Sequence, residues 1–150
     1  MAKVSLVVTV KDAKFVLPKQ TRKPDEIIII DAYQKGKLIN RSMGRNLGIA
    51  KAKGEIIAFT DEGCLAQANW LEELIKPFSD PKVQVVSGYY KGLPETIFQK
   101  CLIPYVLVMP DQIGDEFLPS TRSMAMRKGT GEFDETLWHN EDFAFAHTLK

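Results

Sequence analysis

The sequence predicts an α/β fold: a single domain built on a mostly parallel sheet flanked by helices. Three observations predict it. Four short runs, VSLVVTV (4–10), EIIIID (26–31), EIIAFT (55–60) and VQVVSG (83–88), are rich in Val and Ile and apolar almost throughout. They mostly do not alternate polar with apolar, so they read as strands buried on both faces, as in a parallel sheet covered by helices. Helix-patterned segments then separate the second run from the third and the third from the fourth. This β-α-β-α-β rhythm favours right-handed crossovers and a doubly wound sheet. An all-β fold would need regular hairpin turns and alternation, and neither is evident.

The first connection, KDAKFVLPKQTRKPD, holds Pro18 and Pro24 and leaves room for about two helical turns before Pro18. The second begins DAYQKGKLIN, also brief. In RSMGRNLGIAKAKG, Met43, Leu47 and Ala50 recur at helical spacing, and Gly54 is placed to end the helix. In ANWLEELIKPFSDP, Asn69 is a candidate cap with Glu72 three residues on, and Leu71, Leu74, Ile75 and Phe78 form an apolar stripe. PETIFQKCLIPYVLVMP reads as a helix or a buried irregular segment. FLPSTRSMAMRKG reads as a strand ending in basic residues. A last helix is expected from Asn140, with Glu141 and Asp142 favouring its positive end.

Bulk properties narrow the function. The 150 residues suffice for one core. Lys plus Arg is 20 against 19 acids, which argues against a general nucleic-acid binder. It leaves a local basic patch at Lys19, Arg22 and Lys23. The two cysteines, Cys64 and Cys101, form no CxxC pair, so no structural zinc site is expected. Free thiols and the absence of a signal-peptide pattern point to a cytoplasmic protein. The longest apolar stretch, CLIPYVLVMP, is broken by Pro104 and is too short to span a bilayer.

Ligands of open α/β sheets bind at the carboxyl ends of the strands. Those ends carry Thr9, Lys11 and Asp12, then Asp31, then Asp61 and Glu62. Carboxylates there can bind a ribose or base N–H, or hold Mg²⁺ or Mn²⁺ shared with phosphate oxygens. A single acid after a strand is more simply a turn former; acids at three successive strand ends favour the functional reading.

The stretches VSLVVTVKD, QTRKPDEIIIIDA, GRNLGIAKAKGEIIAFTDEGC, NWLEELIKPF, VVSGYY, SMAMRK, GEFDE and NED, in that order, resemble the family 2 glycosyltransferases. These are inverting, nucleotide-sugar-dependent enzymes of the Rossmann-like GT-A fold. The block from Gly44 to Leu74 is the most specific. The resemblance implies that Thr9 and Asp31 bind the nucleoside and that Arg45 also reaches the nucleotide. It places Asp61 and Glu62 at the family's DxD motif, on ribose and a metal-bridged diphosphate. It makes Asp142 the general base that deprotonates the acceptor hydroxyl. It also divides the domain into a nucleotide-binding half (1–88) and an acceptor and catalytic half (89–150).

Three departures stand out. Gly63 occupies the place of the last DxD carboxylate, DAYQ replaces the usual DDGS turn, and the chain ends at Lys150, soon after the base-bearing helix begins. A shortened member is expected, and without a QxxRW motif a processive polysaccharide synthase is not.

Secondary candidates follow. His147, and behind it His139, is read first as a surface residue and second as a metal ligand. Trp70 is read as core and Trp138 as an acceptor-site aromatic. Cys64 is read as a small buried residue. Arg122 and Arg127 are read as diphosphate contacts or solvated strand-end residues. LIPYVLVMP is read as core or a homodimer surface, and next as a contact for a lipid-linked acceptor or the membrane periphery.

The expected function is transfer of a sugar from a nucleotide-diphosphate donor to an acceptor hydroxyl. The second reading is a degenerate relative that binds a nucleotide or a protein partner without transfer. A nucleotidyltransferase would want a glycine-rich loop after the first strand, which TVKDAKF lacks.

Overall fold

The computed structural model describes residues 2–11, 15–114 and 117–149. In chain order its elements are β1 (Val4–Val10), β2 (Glu26–Asp31), β3 (Tyr33–Gln34), β4 (Lys37–Leu38), α1 (Arg41–Lys51), β5 (Ile56–Phe59), α2 (Trp70–Ile75), β6 (Val85–Ser87), α3 (Ile97–Val106), β7 (Met124–Arg127) and α4 (Glu141–Thr148). Five strands form one sheet in the order β2-β1-β5-β7-β6. β2, β1 and β5 run parallel, and β7 is antiparallel to both β5 and β6. The sheet is therefore mostly parallel, with one reversed strand inserted near its edge.

The central strands have the predicted two-sided burial. Leu6, Val8 and Val10 join Ile56, Ala58 and Ala125 under Leu71, Leu74 and Phe78 of the α2 segment. On the other face Val7, Ile57, Phe59, Met124 and Met126 pack with Ile49 of α1 and Phe145 of α4. At the edge the prediction fails. β2 alternates, and Ile27 and Ile29 are nearly half exposed because, among the described residues, that side of the edge strand is left uncovered.

The helix α1 forms where the spacing places it, but it faces the other way. Met43, Leu47 and Ala50 lie outward, and the inward face is Gly44, Arg45, Gly48 and Ile49. A Cβ on Gly44 would lie 2.8 Å from the Thr9 side chain, and one on Gly48 would overlap Val7. Two glycines one turn apart thus let the helix backbone approach β1 closely, which larger apolar residues would prevent. The helix ends at Lys51, before Gly54.

Asn69 does not cap α2 with its side chain. The carboxamide of Gln20 does so instead: its oxygen accepts from Leu71 N–H at 3.2 Å while its nitrogen donates to the Gln67 carbonyl at 2.9 Å. That anchor holds the first connection as an extended strap, and residues 15–25 contain no helix. Residues 12–14, where the expected turns would start, lie outside the described residues. The second connection is a β3–β4 hairpin whose turn residues, Lys35 and Gly36, both have positive φ, the geometry of a type I′ turn.

The helix α3 is not core. None of its residues is buried, and Ile97, Phe98 and Tyr105 are among the most exposed large side chains. Among the described residues no helix is long and apolar enough to cross a membrane.

Candidate functional site

An open cavity of about 590 Å³ lies beyond the carboxyl ends of β1 and β5, within the usual range for a small-molecule site. Thr9 borders it from β1 and Lys11 from just past it, Leu38 from β4, Asn40 from the N-cap of α1, and Asp61 to Cys64 from the loop after β5. Arg122, just before β7, and Trp138 and His139, just before α4, close its far side. Trp70 instead packs toward the core and donates its indole N–H to Ser123 Oγ at 2.9 Å.

The loop after β5 is a tight turn. Cys64 N–H donates to the Asp61 carbonyl at 3.2 Å, and Gly63 between them has φ +84°. The left-handed geometry, which glycine adopts without a Cβ penalty, accounts for a glycine at the place of a third carboxylate. The half-buried Asp61 and Glu62 are both engaged. Asp61 Oδ1 lies 3.4 Å from Arg45 Nη2, and Glu62 Oε2 accepts Lys11 N–H at 2.7 Å. The Thr9 hydroxyl oxygen is buried, facing Gly44 of α1, without a hydrogen-bond partner among the described residues.

Arg45 is the hub. Its guanidinium is buried, lies 5.4 Å from the Phe133 ring centroid, and pairs with the buried Glu141 at 2.5 Å. One arginine therefore ties the loop after β5 to the start of α4. Next to it, Asn46 exchanges two hydrogen bonds with the Phe133 backbone, at 2.8 and 2.9 Å, and Asn40 donates to the Glu135 carbonyl at 2.6 Å. The GRN and GEFDE stretches of the sequence are thus joined physically. Sequence reasoning missed Asn40, Asn46 and Glu141. The signal available was a run of polar residues on the inward side of α1.

Burial alone would raise the Glu141 carboxyl. The Arg45 hydrogen bond, a backbone N–H and the charges of Arg45 and Arg41 outweigh it and hold the group below its ordinary value of 4.5. A carboxyl lowered by folding stabilises the native state above its unfolded pKa and loses that contribution as pH falls through its folded pKa. Asp25, Glu26 and Asp134 are lowered too, chiefly by the Val4 N–H, the Ser5 hydroxyl and the Thr136 hydroxyl, and act in the same direction. Urea unfolding followed from about pH 7 to about pH 3 is expected to show stability falling below about pH 4.5. Glu141→Gln should make that fall shallower, and an unchanged slope would count against the Arg45–Glu141 pair.

Not every expected residue joins the cavity. Asp31 is exposed, and its carboxylate accepts the Tyr33 N–H at 2.7 Å, bracing the hairpin rather than lining the cavity. Asp142 is partly exposed in the first turn of α4, its Oδ1 accepting the Phe143 N–H at 3.1 Å. Asn140 makes no side-chain cap; it sits in the left-handed region at φ 58°. His147 is exposed in the last turn of α4, away from the cavity lining, which includes His139. Arg122 faces the cavity, whereas Arg127 binds the carbonyls of Phe78, Asp80 and Val83. Asp12 lies outside the described residues. Among the described residues no three His, Cys, Asp or Glu side chains come together as a metal-binding group.

No curated protein shows a significant match to the chain. A family model does match, over residues 33–128, and its description is Glycosyl transferase family 2. The span takes in the β3–β4 hairpin, α1 with Arg45, the loop with Asp61 and Glu62, and β5, β6 and β7, and leaves out β1 and β2 with Thr9 and Asp31, as well as Asp142 and His147. With well over half of the chain matched, and with a mostly parallel α/β sheet that carries its cavity at the strand ends, the protein belongs to glycosyl transferase family 2.

Proposed function

We propose that the protein transfers a sugar from a nucleotide-diphosphate donor to an acceptor hydroxyl, with inversion at the anomeric carbon. The observation that carries this reading is the cavity at the β1 and β5 ends. It brings the Asp61 carboxylate and several cationic side chains together around one volume of nucleotide size, with Thr9 on its border. Thr9 and Asp61 would bind the nucleoside and its ribose. Asp142 would take the proton from the acceptor hydroxyl as that oxygen attacks the anomeric carbon. The bond from that carbon to the diphosphate oxygen breaks in the same displacement, and the nucleoside diphosphate leaves. Trp138, more than half exposed at the cavity mouth, offers a face on which a sugar can stack.

Calorimetric titration with UDP, GDP and dTDP is the test. Saturable binding of one of them is expected, and loss of that binding in Asp61→Ala. No binding by any of the three would sink the reading. A second reading, nucleotide binding without transfer, is favoured by one observation: Asp142 lies outside the cavity lining. Binding without release of nucleoside diphosphate from any donor sugar would select it.

A further inference from the structure

The site's own side chains argue about how a diphosphate would be held. In a metal-bridged arrangement, Asp61 and Glu62 would turn their carboxylates to a divalent cation. Here Asp61 faces the Arg45 guanidinium, Glu62 accepts the Lys11 N–H just past β1, and Gly63 supplies no side chain. Among the described residues the cavity lining carries four cationic residues, Lys11, Arg41, Arg45 and Arg122, against those two carboxylates and the Glu141 carboxylate that pairs with Arg45. A dication would enter a region already in positive excess, whereas a diphosphate would balance it. The donor set does not fit the metal.

Arg41 and Arg122 are available for that role. Neither has a carboxylate within 4 Å among the described residues. Arg122 is held over the Tyr90 ring, 5.3 Å from its centroid, with the Tyr90 hydroxyl oxygen 3.3 Å from its Nη1. Its planar fork is thus oriented before any ligand arrives, as bidentate phosphate binding requires. Arg41 opens α1, whose first turn contains no acid. A cation at the positive end of a helix is the reverse of the usual preference, and an anion bound beside it removes the conflict.

We infer that this site holds the diphosphate of its donor without a divalent cation, Arg41 and Arg122 offsetting the phosphate charge. The inference rests on the nucleotide-sugar reading above. Both arginines would also stabilise the charge that develops as the diphosphate leaves.

The experiment is calorimetry with UDP, GDP, dTDP and inorganic pyrophosphate, each in EDTA and in Mn²⁺. The affinity for the preferred nucleotide is expected to agree within about twofold between the two buffers. Arg41→Gln and Arg122→Gln should each weaken it by about tenfold or more, as for the loss of a charge-assisted hydrogen bond, with both variants folded and the melting temperature of Arg122→Gln unchanged. Nucleotide binding that appears only with Mn²⁺ would overturn the inference and leave the parent reading standing. Binding in EDTA that ignores both substitutions would overturn the assignment to these arginines. No nucleotide binding in either buffer would overturn the parent reading and this one with it.

Discussion

Arg45→Met is expected to lower the stability of the fold by about 3–5 kcal/mol, the usual cost of removing one partner from a buried ion pair. The arginine and Glu141 are both buried, and the substitution leaves the buried Glu141 carboxylate without its ion-pair partner. Against a total of about 5–15 kcal/mol for a domain, the variant would stand close to marginal. Equilibrium denaturation in urea measures the loss. The double variant Arg45→Met, Glu141→Leu should recover much of it, because an apolar pair of similar volume often substitutes for a buried ion pair at little cost. A cost below about 1 kcal/mol in the single variant would mean that the two groups are not paired away from water.

Asp142→Asn is expected to slow sugar transfer by about 10²–10⁴-fold, the range for loss of a general base, while nucleotide affinity stays nearly intact. The two acids of NED have separate fates. Glu141 is committed to Arg45, so its proton affinity serves the fold. Asp142 is partly exposed, with only an adjacent backbone N–H on its carboxylate among the described residues, and is free to take up a proton from a hydroxyl brought to it. Steady-state transfer and calorimetric binding of the nucleotide, measured on one preparation, separate the effects. Joint loss of transfer and binding would move Asp142 out of the base role, and transfer unaffected would do the same.

The central strands β1 and β5 were legible because each is a short apolar run, and a run buried on two faces leaves that mark whatever its partners are. Strand order was not. β7 reads as a strand, but nothing in MAMR says that it enters between β5 and β6 in reverse. The inward face of α1 was misread for a related reason. Large apolar residues are the usual sign of a buried stripe, and here they face outward. The buried stripe is glycine, set by close approach to β1, and an arginine whose partner lies 96 positions along the chain. The same limit hid the Gln20 cap of α2 and the exposure of α3, whose composition alone resembles a core segment. In the site, Asp61 and Glu62 were found from their place after a strand, while the roles of Glu141 and Asn46 depend on contacts between distant segments.

The insertion of β7 has a consequence for synthesis. β1 is already made when β5 is synthesised, but the partner of β5's other edge, β7, follows about 65 residues later. At roughly 5–20 residues per second, a nascent chain presents the open edge of IIAF for about 3–13 s before its partner exists. During that interval the edge is a template for any other extended chain nearby. Every newly made copy passes through a stage in which its own central strand competes with its neighbours, and slowing encounters between chains should raise soluble yield more than stabilising the finished fold.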